Sequence, residues 1–141
     1  MFSQSLEILM VEDNCADVLL VREHFKDNDM LGNNLHVVKD GVEALAFLRR
    51  EGEYSSVPKP DIILLDLNFP RKDGRTVLHE IKNDDLLREI PVVLLATSVH
   101  DIDYIRIENP NADWCVDKPV DSLKFISAAR SIGLISEKGS N

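Results

Sequence analysis

Charged side chains stand within two residues of the ends of several apolar stretches. The four that we single out are Glu12, Asp13, Asp66 and Lys118. Asp66 is the clearest case, since it closes a continuous apolar run that begins at Ile62. A run of branched apolar residues indicates a strand covered on both faces, as in a parallel sheet. The carboxyl ends of such strands are where open α/β sheets bind ligands and carry out chemistry.

Three carboxylates and an ammonium group at one sheet edge suit phosphoryl transfer. Carboxylates that share a cleft repel each other and raise each other's pKa, so a cation should bind among them. Mg²⁺ suits this set because it takes one or two carboxylates and keeps several waters. Lys118 adds a second positive charge, and an aspartate can accept a phosphoryl group as an acyl phosphate. We therefore predict phosphoryl transfer onto Asp66 with Mg²⁺ as cofactor.

Alternating apolar and amphipathic segments predict the elements that position these residues. We expect strands over 6–11, 35–39, 61–66, 92–96 and 114–117, and helices over 16–26, 42–50, 76–82, 102–108 and 122–132. This alternation indicates one parallel α/β sheet with right-handed crossovers. Glu12 or Asp13 could also cap the first helix. Only 52–60 and the polar tail read as linker-like segments.

Length, composition and charge limit the function classes. A chain of 141 residues is expected to form one domain, over 1–135, with 136–141 as a polar tail. The net charge of -9 argues against nucleic-acid and anionic membrane partners, because phosphate contacts need clustered Lys and Arg. No apolar run approaches the roughly 20 residues of a membrane span, so we expect a cytoplasmic protein. Cys15 and Cys115 are expected to be reduced, partly buried thiols.

Taken in order, these motifs resemble the receiver domain of two-component response regulators. The resemblance rests on Val-Glu-Asp-Asn at 11–14, on Asp66 with Pro70 and Gly74 after it, and on Lys118-Pro119. It extends to the stand-alone, phytochrome-associated subgroup, to which the segments 12–17, 40–45 and 66–74 are similar. The resemblance implies a single-domain, flavodoxin-like (βα)5 fold, with a doubly wound parallel sheet in the strand order 2-1-3-4-5.

The resemblance also implies a role for each site residue. Asp66 would accept the phosphoryl group from the phosphohistidine of a sensor histidine kinase, which the subgroup suggests is phytochrome-like. Asp13 and Asp66 would bind Mg²⁺ directly, Glu12 would act through water, and Asn68 would give its backbone carbonyl. Lys118 would contact the phosphoryl oxygens, and its bond to the following proline would be cis. Without a DNA-binding output domain, the protein would signal by conformational change or partner binding. It would assist its own phosphorylation and dephosphorylation without being an enzyme.

Two positions depart from the family pattern. The switch hydroxyl of the family falls on Ala96, with Thr97 one residue later. The switch aromatic falls on Cys115, with Trp114 one residue earlier. Successive strand residues face opposite sides, so neither neighbour can substitute in a regular strand. We therefore expect an altered switch, and an inward swing of Thr97 and Trp114 in the beryllofluoride-bound form would contradict this hypothesis.

Two other function classes remain open. Phosphatases of the haloacid-dehalogenase type use a strand-end aspartate, but they carry a second Asp where this chain has Asn68. Multiple turnover on phosphomonoesters would favour that class. An unphosphorylated binding module is suggested by Ala96 and Cys115, and absence of an acyl phosphate on Asp66 after treatment with acetyl phosphate and Mg²⁺ would favour it.

A homodimer or partner patch is also predicted near the C-terminal helix. The apolar residues assigned to this patch exceed what one helix face needs, and they are Leu123, Phe125, Ile126, Ile132, Leu134 and Ile135.

Overall fold

A computed structural model describes residues 6–26, 34–67 and 73–135, in which parallel strands alternate with helices. The strands are β1 (Ile8–Val11), β2 (Leu35–Val38), β3 (Ile62–Asp66), β4 (Val92–Ala96) and β5 (Trp114–Asp117). The α-helices are α1 (Cys15–Phe25), α2 (Gly41–Leu48), α3 (Gly74–Lys82), α4 (Ile102–Glu108) and α5 (Ser122–Ser131). No helix among the described residues is long and apolar enough to cross a membrane.

The strands form one parallel sheet in the order β2-β1-β3-β4-β5. The chain passes from β1 outward to β2 and returns to β3 on the other side of β1, so the strand order reverses between β1 and β3. Across that point Val11 pairs with Leu65, and on the far side of β3 Asp66 pairs with Leu95. The carboxyl ends of the strands therefore share one edge. The predicted fold is confirmed in both topology and strand order.

Side chains of the sheet alternate between two apolar layers. One layer packs against α2 and α3 and includes Ile63 and Leu94. The other packs against α1 and α5, where the rings of Phe25 and Phe125 meet edge to face with centroids 5.3 Å apart. Every residue of β3 and β4 is buried. That double coverage is why their sequences are continuous apolar runs and do not alternate with polar residues.

Local backbone chemistry corrects several expectations at element ends. The N-cap of α1 is Asn14, whose side-chain oxygen accepts a hydrogen bond from the Asp17 N–H at 3.0 Å. Neither Glu12 nor Asp13 fills that position. Gly52–Tyr54 forms a 3-10 turn inside the segment predicted as a linker, and Gly52 has a φ of 57°, which glycine adopts without strain. The predicted tail over 136–141 lies outside the described residues.

Burial corrects two further expectations. Both cysteines are free, as predicted, but Cys15 is exposed at the start of α1 while Cys115 is buried in β5. The predicted apolar patch is wrong for Phe125, which is buried against α1. The patch residues Ile126, Ile132, Leu134 and Ile135 are partly buried against the core. Leu123 stays 78% exposed.

Candidate functional site

Asp66 and Glu12 bring two carboxylates together at the point where the strand order reverses. Asp66 ends β3, and Glu12 directly follows β1, where its N–H donates to the Val38 carbonyl at 3.0 Å. The side chains of Glu12 and Asp66 are only 1% and 8% exposed. Burial, reinforced by the hydrogen bond with Asp66 and by its negative charge, raises the pKa of Glu12 to about 7. The cleft therefore has an excess of negative charge.

Lys118 lies at the centre of these carboxylates. Its Nζ donates hydrogen bonds to Asp66 Oδ2 at 2.8 Å, to Glu12 Oε1 at 3.1 Å and to Asp17 Oδ2 at 3.0 Å. Burial by itself would lower the pKa of Lys118, but the hydrogen bonds to Asp66 and Asp17 and the nearby charges raise it. Lys118 is thus a firmly charged cation that offsets part of the excess negative charge.

The loop that carries Lys118 is fixed by backbone and side-chain contacts. The Lys118 N–H donates to the Ala96 carbonyl at 2.8 Å, which attaches the loop to the end of β4. Lys124, in the first turn of α5, donates to Asp117 Oδ2 at 3.0 Å and to the Pro119 carbonyl at 3.2 Å. The Lys118–Pro119 peptide bond is cis, as the resemblance implied. The lysine therefore reaches the cleft from a backbone held on both sides.

The contacts of Gly74 explain why a glycine is needed shortly after β3. It is the first residue of α3, and its N–H donates to the Leu67 carbonyl at 3.1 Å. A Cβ atom at this position would lie 2.6 Å from the backbone carbonyl oxygen of Asp66. Any larger residue would have to push α3 away from the end of β3. The glycine thus lets α3 start directly against the backbone of Asp66.

Asp17 is the charged residue of this site that sequence reasoning missed. It lies in the first turn of α1, and its side chain is 29% exposed. The signal that could have found it was the N-cap, because Asn14 fixes where α1 begins and so turns the Asp17 carboxylate toward the strand ends. Without that boundary, Asp17 reads as an ordinary acidic residue that complements the helix dipole.

Two other residues, Asp13 and Asn68, are predicted metal ligands. The Asp13 side chain is exposed, and Asn68 lies outside the described residues. Among the residues that the structure does describe, no group of three or more His, Cys, Asp or Glu side chains is arranged to hold a metal ion. The donor chemistry nevertheless fits Mg²⁺. Glu12 and Asp66 supply adjacent carboxylate oxygens, and Lys118 offsets only part of their negative charge. Mg²⁺ needs only one or two carboxylates besides water.

The two switch positions have a different character. Ala96 and Cys115 are buried in the apolar layer formed with α2 and α3, and burial raises the pKa of the Cys115 thiol to about 11. Thr97 is exposed beyond the end of β4. Trp114 packs against the opposite layer, and the guanidinium of Arg106 lies 4.8 Å from its ring centroid. Thr97 and Trp114 therefore do not share the buried layer that contains Ala96 and Cys115.

The protein is similar to known proteins in both sequence and structure. The model of the response regulator receiver domain family matches residues 8–130. Response regulator Rcp1 of Synechocystis sp. is 50% identical over 98 residues, which span 70% of this chain and 66% of that protein.

Solved structures show the same similarity over most of the chain. The bacteriophytochrome response regulator AtBRR has a TM-score of 0.83 at 36% identity and covers 94% of this chain and 96% of its own. The phosphorylated cyanobacterial phytochrome response regulator RcpA has a TM-score of 0.75 at 38% identity, covering 94% and 98%. The Mn²⁺-bound form of Rcp1 has a TM-score of 0.73 at 39% identity, covering 94% and 97%.

Proposed function

Because the chain belongs to the response regulator receiver domain family, we propose that Asp66 accepts a phosphoryl group from a sensor histidine kinase. Receiver domains act in two-component signalling and are characteristically phosphorylated on aspartate. The observation that carries the assignment to Asp66 is its 2.8 Å contact with Lys118 in the cleft where the strand order reverses. The protein is a signalling protein and not a classical enzyme.

In the proposed step, a carboxylate oxygen of Asp66 attacks the phosphorus of the phosphohistidine. A phosphorus–oxygen bond forms as the phosphorus–nitrogen bond breaks, and the electron pair leaves with the imidazole. Lys118 neutralises charge on the phosphoryl oxygens, which in such a buried site is worth far more than in water. The product is an acyl phosphate on Asp66, which water later hydrolyses.

Mg²⁺ is the cofactor in this proposal. When bound, it would add positive charge beside the phosphoryl oxygens. We propose that Asp13 and Asp66 hold it directly, Glu12 through water, and Asn68 through its backbone carbonyl. The Mn²⁺-bound form of Rcp1 supports a divalent cation in a relative of this chain. The raised pKa of Glu12 supports the same conclusion, since the cleft can accept more positive charge than Lys118 supplies.

The kinase is proposed to be phytochrome-like, because both AtBRR and RcpA are phytochrome response regulators. The receiver is proposed to span 1–135 and to act in the cytoplasm, by conformational change or partner binding. A homodimer is one such output. Its support is the exposure of Leu123 on α5 and of Ile107 and Tyr104 on α4.

Acetyl phosphate tests the acceptor directly. Incubation with acetyl phosphate and Mg²⁺ should add one phosphoryl group to the chain by intact mass, and hydroxylamine should remove it. Asp66→Asn should abolish the adduct, whereas Asp85→Asn, the same change at an exposed position, should leave it intact. An adduct that persists in Asp66→Asn would overturn the assignment. Multiple turnover on phosphomonoesters would favour a hydrolase instead.

A further inference from the structure

We infer that Asp17 is a positioning residue for this phosphorylation: it holds Lys118 in the unphosphorylated protein and gives the lysine up to the phosphoryl group. The inference rests on the proposed function of Asp66. It concerns a residue outside the acceptor, the metal ligands and the switch positions already described.

All the hydrogen-bonding capacity of Lys118 is used in this structure. An ammonium group has three N–H donors and no acceptor. Carboxylates of Glu12, Asp17 and Asp66 lie at 3.1, 3.0 and 2.8 Å from Nζ, one for each donor. A phosphoryl oxygen can therefore reach Lys118 only by replacing one of these partners.

Asp17 is the partner that can be replaced at least cost. Asp66 keeps its place in the site, because its carboxylate is the group that attacks phosphorus. Glu12 is almost fully buried, and an uncompensated charge there would be costly. Asp17 is partly exposed, so water can solvate its carboxylate once the lysine has left. The exchange therefore takes place at Asp17.

Hydrogen bonds also hold Asp17 in place in the unphosphorylated protein. The Asn14 N–H donates to Glu12 Oε2 at 3.2 Å, and the Asp17 N–H donates to Asn14 Oδ1 at 3.0 Å. Together with the bonds from Lys118 to Glu12 and Asp17, these contacts close a ring of four residues. The carboxylate of Asp17 is therefore presented to Lys118 by the backbone of α1. In this position its negative charge competes with an incoming phosphoryl group for the lysine. The same charge also repels that group directly.

Asp17→Asn is the decisive variant, because it keeps the size and an acceptor oxygen but removes the charge. At saturating Mg²⁺ we expect the initial rate of acyl phosphate formation from acetyl phosphate to rise by about twofold to fivefold, the range expected for a partly exposed ion pair. The apparent affinity for beryllofluoride should rise in the same proportion. Asp17→Glu restores the charge and should return both quantities toward the wild-type values, a rescue that a purely structural role would not produce.

Glu23→Gln is the matched control. It makes the same change of charge on the same helix, at an exposed residue that pairs with Lys26 at 2.8 Å, and it should leave both quantities unchanged. Asp17→Ala serves as a second charge-removing variant if the Asn variant does not fold, with the same expected rise. A wild-type protein that is phosphorylated while the charge-removing variant reacts no faster overturns the inference about Asp17. A wild-type protein that forms no acyl phosphate overturns the proposed function itself.

Discussion

The ends of β3 and β4 lie side by side in the sheet, yet the residues around them form two regions of opposite chemistry. The acceptor region, which consists of Glu12, Asp17, Asp66 and Lys118, is a cluster of charges joined by hydrogen bonds. The relay region, which consists of Ala96 and Cys115, is buried among apolar side chains. In the first region charge pairing fixes the geometry, because a buried unpaired charge is costly. In the second region the geometry is fixed by the fit of side-chain volumes, because protein interiors are close-packed.

The largest expected effect concerns the charge of the acceptor region. In metal-free protein the pKa of Glu12 is raised from an ordinary 4.5 to about 7, since Lys118 offsets only part of the effect of burial and of Asp66. The folded state thus binds this proton more tightly than the unfolded state does. Glu12 therefore contributes most to stability when it is protonated, and this contribution is lost as the pH rises from about 4.5 through about 7. The loss approaches about 3 kcal/mol.

Urea unfolding in EDTA at pH 5 and pH 8 measures this loss. Glu12→Gln should remove most of the difference between the two pH values, because the amide does not titrate. Glu89→Gln, an exposed change of the same kind, should keep the wild-type difference. If Glu12→Gln also kept the wild-type difference in stability between the two pH values, charge repulsion would not be what distinguishes the acceptor region.

The next effect concerns the lysine. Lys118→Met keeps an unbranched chain of similar length but removes the ammonium group that contacts Asp66. Acyl phosphate formation from acetyl phosphate should slow by about hundredfold, the lower end of the effect expected when a positioned donor to a developing charge is lost. Lys59→Met, at an exposed position, should react like the wild type. An undiminished rate in Lys118→Met would show that the cluster is structural and not catalytic.

The smallest effect belongs to the relay region. Ala96→Thr adds a hydroxyl and a methyl group to a buried position, and it should destabilise the protein by about 1–2 kcal/mol. Thr97→Ala, one residue further and exposed, should change the free energy of unfolding by less than about 0.5 kcal/mol. Denaturant midpoints of both variants provide the measurement. If Ala96→Thr were as stable as the wild type, the end of β4 would have space for a threonine hydroxyl. The two regions would then differ less in their tolerance of polar groups.

The sequence allowed the sheet to be predicted because buried parallel strands are continuous apolar runs, as in residues 62–65 of β3. It also placed Asp66 and Lys118 at one edge, because parallel strands end on the same side. Asp17 could not be predicted in this way. Its place in the cleft depends on where α1 begins, and that is decided by a single hydrogen bond to Asn14. The burial of Phe125 was missed because helix periodicity does not reveal which neighbouring ring it meets.

The hydrogen bond from the Lys118 N–H to the Ala96 carbonyl has a consequence for how such a protein can diverge. Every amino acid at position 96 offers that carbonyl, so the attachment of the lysine loop to β4 does not depend on the side chain there. A lineage can therefore replace the switch hydroxyl without losing the anchorage of the lysine. The proposed acceptance of phosphate by Asp66 would then be separable, in evolution, from its reporting through position 96.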